Sequence, residues 1–396
     1  MTALNEDRRL LRDFLRDVLK IKPPIDPKKL SVLEQESPGQ SITSEQEFEQ
    51  RGIPDGWIYD EENKWCIIFE IKVTAKLHTN QLSRHRHSAE RRGFEKIDIV
   101  AIVPLLPRKP PKNTILLKWV NVYAWLRARE SWWARRVVEY LEIAEAELLD
   151  TGQFVGALTM FAGFPFTREH PYTYLEAKRV LALAMDDLRK HRELMKQLGI
   201  SPNGVGRGAI IGTQRDSIWD FLSFSSAREA DAFNKHPHLD LAIYRTAIEA
   251  TLTIPNAAIG QVRKKIVDLG EDGFREKVES IVENLKPLLT KNPGAIPWFR
   301  AVQRRFPARA AEPFDDAKLE FDMRTALPSV GPAKTQEIWL STAYRAFIHK
   351  QGTNYQMEIG ARFPYQLCPK LRGSSAIDLV ADTFLACAPL ANLISH

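Results

Sequence analysis

Residues 53–72 read IPDGWIYDEENKWCIIFEIK. Two apolar, β-favouring runs flank DEEN at 60–63, which is polar and turn-like, so the stretch reads as a hairpin. The second run is the most strand-like segment of the chain, yet it carries Glu70 and Lys72. A charge on an apolar strand is costly unless something compensates it. Successive strand side chains alternate faces. Cys66, Ile68, Glu70 and Lys72 therefore share one face, and Ile67, Phe69, Ile71 and Val73 the other. The second face can enter a core. The first needs a partner for its charges.

The hairpin supplies one. Asp55 lies at the start of the preceding strand, so folding brings its carboxylate beside Glu70. Two adjacent carboxylates repel unless they share a proton or a cation. Mg²⁺ suits such a pair, since it takes one or two carboxylates together with waters and phosphate oxygens. The Ile71 carbonyl is a further candidate ligand. Lys72 shares the Glu70 face, where it can orient or help deprotonate a metal-bound water and offset charge at phosphorus.

The neighbouring segments extend this unit. Residues 79–93, TNQLSRHRHSAERRG, read as a helix closed by Gly93, and KIDIVAIVPLLP follows as a β-rich run. Strand, helix and strand in this order form a βαβ unit with a right-handed crossover. Residues 4–20 show helical spacing of Leu10, Leu11, Phe14, Leu15, Val18 and Leu19, ended by the prolines of KPPIDPKK. Strand-like stretches occupy 41–60.

Pro54-Asp55, then Glu70-Ile71-Lys72 on an apolar strand, then Asn80-Gln81-Leu82 opening a helix, together resemble the PD-(D/E)XK nuclease superfamily. The resemblance covers about residues 1–106. It implies an α/β fold, a restriction-endonuclease-like mixed sheet flanked by helices, with a phosphodiesterase site dependent on Mg²⁺, for which Mn²⁺ can substitute. Asp55, Glu70, Lys72 and Gln81 then take the catalytic positions. Asp55, Glu70 and the Ile71 carbonyl hold the metal, with Glu6 as an additional acidic ligand and Glu45 as the alternative to it. The implied activity is hydrolysis of nucleic acid, foremost DNA and by an endonuclease, in restriction or phage defence. The alternatives are an RNase or structure-specific nuclease, or an inactive nuclease fold that binds nucleic acid or assembles.

Charge distribution points to the same partner. Between residues 76 and 136 there are fourteen Lys/Arg against four Asp/Glu, whereas the whole chain carries only +6. A basic block beside a candidate site suits a polyanion. Arg84, His85, Arg91 and Arg92 are its candidate phosphate contacts. The histidines of RHRH, two residues apart, diverge on a helix and do not chelate. Cutting both strands with one site per chain calls for a homodimer.

Other classes are disfavoured. The chain is 44% hydrophobic and 27% charged, as expected of a soluble globular protein. No apolar run reaches the roughly 18 residues that span a bilayer, and the charged N-terminus is unlike a signal peptide. Three widely spaced cysteines form no metal or disulfide pattern, so a reducing cytoplasm is expected. There is no P-loop and hence no ATP-driven step.

PRKPPKN at 107–113 reads as a boundary, giving a nuclease domain over 1–112. A helical region over 113–200 follows, with tryptophans 119, 125, 132 and 133. GISPNGVGRGAIIG at 199–212 reads as a linker or tight turn. Residues 210–396 form an α+β domain that targets, senses or oligomerises, with strands at LDLAIYR, IEATLTI, KLEFDMR and NYQMEIGARF.

Overall fold

The hairpin lies at the heart of the first of two sheets in the computed structural model, which describes residues 1–35, 38, 53–202, 206, 216–225, 234–255, 258, 260–305, 307, 314–329, 336–349 and 355–395. Glu45, the strand-like stretch over 41–52 and most of the 199–212 segment lie outside the described residues. Strands β1 (Ser31–Glu34), β2 (Gly56–Asp60), β3 (Trp65–Ile71), β4 (Lys96–Val103) and β5 (Ile115–Lys118) pair in chain order. The β1–β2 and β2–β3 pairs are antiparallel, and β3–β4 and β4–β5 are parallel. The molecule is thus mixed α/β.

Alternation along β3 has the expected result. Ile67 and Phe69 pack with Ile58, Val100 and Ile102 against Leu10, Leu11, Phe14 and Leu15. Cys66 and Ile68 pack on the opposite side with Trp57, Ala89 and Phe94. The N-terminal segment is not one continuous helix. Helix α1 (Thr2–Glu6) ends at Asp7, whose extended backbone (φ −115°) lets its carboxylate cap α2 (Arg8–Phe14) through the Leu10 N–H at 2.9 Å. A π-helical turn, Leu15–Leu19, then closes on left-handed Lys20. Helix α3 (Thr79–Arg91) links β3 to β4.

Two boundaries differ from the sequence reading. The 107–113 segment joins β4 to β5, parallel neighbours of one sheet, and so lies within a folded unit. Helices α4 (Trp119–Arg127) and α5 (Trp132–Asp150) complete that unit: Val122, Tyr123, Leu126, Ala134 and Leu141 enter the same core as Phe14 and Phe69. Ser131 caps α5 and donates a 2.5 Å hydrogen bond to Asp7. The chain divides into compact units over Met1–Met160 and Phe161–His396, and the helical stretch at 113–200 is split between them. Helical periodicity reports an apolar face but not which core covers it.

The second unit contains helices α6 (Tyr174–Arg189) and α7 (Arg192–Leu198) and a six-stranded antiparallel sheet. Its strands are β6 (Ser217–Ser223), β7 (His238–Tyr244), β8 (Ala247–Ile254), β9 (Ile296–Arg305), β10 (Phe314–Asp322) and β11 (Tyr355–Pro364), in the order β10-β9-β11-β8-β7-β6. Helix α8 (Gly260–Lys291) is kinked at Gly270, where φ is +74°, a conformation glycine tolerates. Helices α9 (Ile338–Ile348), α10 (Ala376–Ala386) and α11 (Ala388–Ser395) follow. Among the described residues no single helix is long and apolar enough to cross a membrane; α10 and α11 together pass by length and composition but are bent by 63°.

The core contributed by α4 and α5 generates a test. A chain ending at residue 112 exposes the face that Tyr123, Leu126 and Leu141 cover, and it lacks β5 altogether. It should show weak near-UV circular dichroism and no cooperative urea transition, whereas a chain ending at Met160 should show both.

Candidate active site

Glu70 is the most buried charged group on β3, with 1% of its surface exposed. Its carboxylate has two cationic or hydrogen-bonding partners. The Lys72 ammonium pairs with Oε1 from the same strand face, and His85 lies 2.8 Å from Oε2. His85 comes from α3, whose inward stripe is Leu82, His85 and Ala89. Its ring is fully buried, and Nδ1 has no hydrogen-bond partner among the described residues. The tautomer with hydrogen on Nε2 satisfies this geometry: Nε2 donates to Glu70, and Nδ1 keeps a lone pair, which tolerates burial better than an N–H without an acceptor.

Asp55 immediately precedes β2, and its N–H donates to the Phe69 carbonyl at 3.0 Å, extending the hairpin ladder. Its carboxylate accepts the Ile71 N–H at 2.6 Å. On the other side of β3, the Lys72 N–H donates to the Ile102 carbonyl at 2.8 Å. The N–H and C=O of one strand residue point the same way. The Ile71 carbonyl is therefore directed to the Asp55 side of the strand. Trp119 closes the end of β3 by donating Nε1 to the Lys72 carbonyl at 2.9 Å.

The two carboxyls are perturbed in opposite directions. Burial pushes Asp55 up; the Ile71 N–H opposes this, and the Glu70 charge adds to it. Burial would also raise Glu70, but the hydrogen bonds from His85 and Lys72 and the Lys72 charge outweigh it and hold the carboxyl below its ordinary value. Glu70 is thus the better compensated of the pair. Asp55 has no ion pair with a described residue, and Lys72 offsets its charge only in part. This donor set suits a hard cation that takes two carboxylates and a carbonyl and fills its remaining positions with water or phosphate oxygens. No group of three or more His, Cys, Asp or Glu side chains among the described residues forms a self-sufficient metal cage.

The remaining expected site residues divide. Gln81 is half-buried one turn before His85, and no hydrogen bond joins its amide to Asp55, Glu70 or Lys72. Glu6 is exposed and contacts Asn5 at 3.4 Å, with no bond to the carboxylate pair. The helix break at Asp7 removes the continuous spacing from Glu6 to Leu10 on which its placement rested. His85 is not a phosphate contact, because it is buried against Glu70. Arg92 donates to the Pro38 carbonyl at 2.6 Å, which ties down the chain before β2. Arg84 and Arg91 are exposed on α3 and have no ion pair with a described residue. Sequence reasoning missed the inward role of His85; the signal was its place between Leu82 and Ala89 on one helical stripe. Arg86, also unassigned, donates to the Ile97 and Asn113 carbonyls at 3.2 and 3.3 Å and so braces α3 against the sheet. The chain matches no protein-family model, no curated protein and no solved structure.

The opposite shifts set a pH test on the metal-free protein. A carboxyl with a raised native pKa binds its proton more tightly folded than unfolded, so its ionisation costs stability as pH rises through that value. Asp55→Asn, which can still accept from Ile71, should raise the melting midpoint near neutral pH in EDTA, and the gain should fade by about pH 3. Glu70 is the reverse case. Its contribution is present above the unfolded carboxyl pKa and is lost as pH falls through the lower native value, so Glu70→Gln should destabilise most near neutrality. Melting curves of both variants across pH check the two signs.

Proposed function

We propose that residues 1–160 form a restriction-endonuclease-like domain of the PD-(D/E)XK type, which hydrolyses phosphodiester bonds in DNA with Mg²⁺. The observation that carries this reading is the convergence of Asp55 and Glu70 at the end of β3, beside the Ile71 carbonyl and under Lys72. Asp55, Glu70 and that carbonyl would hold the ion. Bound there, Mg²⁺ supplies a polarised phosphodiester and a more acidic water.

The chain's own residues do the rest. Ile71 and Phe69 lock the Asp55 carboxylate and backbone to the strand end. His85 holds Glu70 from below by its Nε2 hydrogen bond, so the carboxylate keeps one orientation. Lys72 keeps its ammonium on the site's open side, with 16% of its side chain exposed, where it orients the attacking water and offsets charge at phosphorus. Apolar packing of Ile68 and Trp57 behind Glu70 lowers the local dielectric and strengthens these interactions.

Three variants test the assignment on plasmid DNA with Mg²⁺. Asp55→Ala and Glu70→Ala should each lower cleavage by roughly a hundredfold or more, and EDTA should abolish it. Lys72→Met should lose turnover on the same scale yet retain Mg²⁺ binding in calorimetry. Turnover that persists in Asp55→Ala and in Glu70→Ala rejects the site. Cleavage of RNA but not DNA by the unaltered protein moves the substrate class while leaving the site in place.

Arg84 and Arg91 are seven residues apart on α3, about two helical turns, and so lie on one side of the helix. They are the remaining candidates for phosphates flanking the scissile bond. On an Asp55→Ala background, replacing both by Ala should weaken binding to all sequences alike. It should also flatten the slope of log K against log salt by about one to two, close to 0.9 per lost duplex phosphate contact. A filter-binding titration at several salt concentrations measures this directly.

A further inference from the structure

The second unit contains a cavity of about 490 Å³, lined by charged, polar and aromatic side chains, that the nuclease reading does not use. It lies across the neighbouring strands β6, β7, β8, β11 and β9. Register places its wall on one face of the sheet: Asp240 opposes Thr251, Thr253 opposes Glu358, and Glu358 opposes Arg300. The alternate residues Leu239, Leu241, Ile248, Ala250 and Leu252 point the other way into a dry core.

Three carboxylates on this wall are nine-tenths or more buried: Asp240 at 9% exposure, Glu249 at 2% and Glu358 at 4%. Three basic side chains line the same cavity: His238, 3.3 Å from Asp240, Arg304, paired with Asp315 at 3.2 Å, and Arg300. The Arg300 guanidinium is already committed, pairing with Glu358, approaching Glu249 Oε2 at 3.5 Å, and donating to the Tyr244 hydroxyl at 3.2 Å. Arg362 takes the other Glu249 oxygen at 3.2 Å. Glu249 Oε2 accepts no hydrogen bond from a described residue. Burial also holds the Glu249 carboxyl above its ordinary value despite both arginines. Glu249 Oε2 and Asp240 Oδ1 are thus buried acceptors without a hydrogen-bond donor among the described residues, with open cavity beside them.

The wall's chemistry selects among occupants. An anion would sit against three carboxylates and find both Arg300 and Arg304 already paired with carboxylates. An apolar ligand would leave Glu249 Oε2 dry and without a donor. A cation with several N–H donors supplies both charge and hydrogen bonds, and the half-buried ring of Trp219 on the same wall attracts cations through its π face. The volume falls in the usual range of small-molecule sites, roughly 300–1,000 Å³. We propose that this sheet face binds a small organic cation rich in N–H donors, of the guanidinium or polyamine type, anchored on Glu249 with Asp240 and Trp219 beside it.

The test is calorimetry on the full chain with agmatine and spermidine as separate probes and AMP as the anionic control. One of the two cations should bind saturably and AMP should not; which one binds tells a guanidinium site from a polyamine site. Glu249→Gln should weaken that binding by about tenfold or more. Because Glu249 also supports Arg300 and Arg362, Trp219→Ala serves as a second variant that leaves the buried pairs intact, and it should weaken binding too. Folding of each variant is checked by circular dichroism. Absence of saturable binding by both cations up to about 10 mM, an affinity unchanged in both folded variants, or tighter binding of AMP overturns the proposal.

Discussion

A buried carboxylate near the end of an apolar strand is the constraint on which the first unit depends. Glu70 tolerates this position because Lys72 and His85 meet its two oxygens. One partner comes from its own strand, and the other from the helix packed on that face. Removing one partner from a buried pair typically costs about 3–5 kcal/mol, since it leaves a charge without compensation. The Glu70–His85 bond therefore does structural duty: with Leu82 and Ala89 it belongs to the buried stripe of α3, which leaves Arg84 and Arg91 exposed.

Asp55 illustrates the opposite arrangement. It is half-buried, held by a backbone N–H, and short of positive charge. Two carboxyls a strand apart are thus driven in opposite directions by their surroundings, a pattern that marks groups with different tasks.

The two units solve the problem of buried charge differently. In the first, a single carboxylate is enclosed by a short local cluster and the surrounding surface is basic. In the second, several carboxylates line one broad sheet face and two arginines bridge them. Bridging arginines satisfy most of that face and leave Glu249 Oε2 as a buried acceptor without a hydrogen-bond donor among the described residues.

Much of the first unit was legible in the chain because its signals are local. Alternation in KWCIIFEIK set the two faces of β3 and DEEN set the hairpin; the structure follows both. Most of the strands of the second unit were also readable from their β-branched and aromatic runs. What sequence left open depends on contacts between distant segments. The inward turn of His85 is set by the packing of α3 on β3. The loss of Glu6 follows from one capping interaction at Asp7, which interrupts a periodic pattern that otherwise reads as continuous. The capture of Arg92 by Pro38 and the assignment of α4 and α5 to the sheet's core are long-range choices too. Periodicity along a chain specifies which side of an element is apolar. Only the folded chain decides which partner that side meets, because burial is shared between surfaces that the sequence does not place side by side.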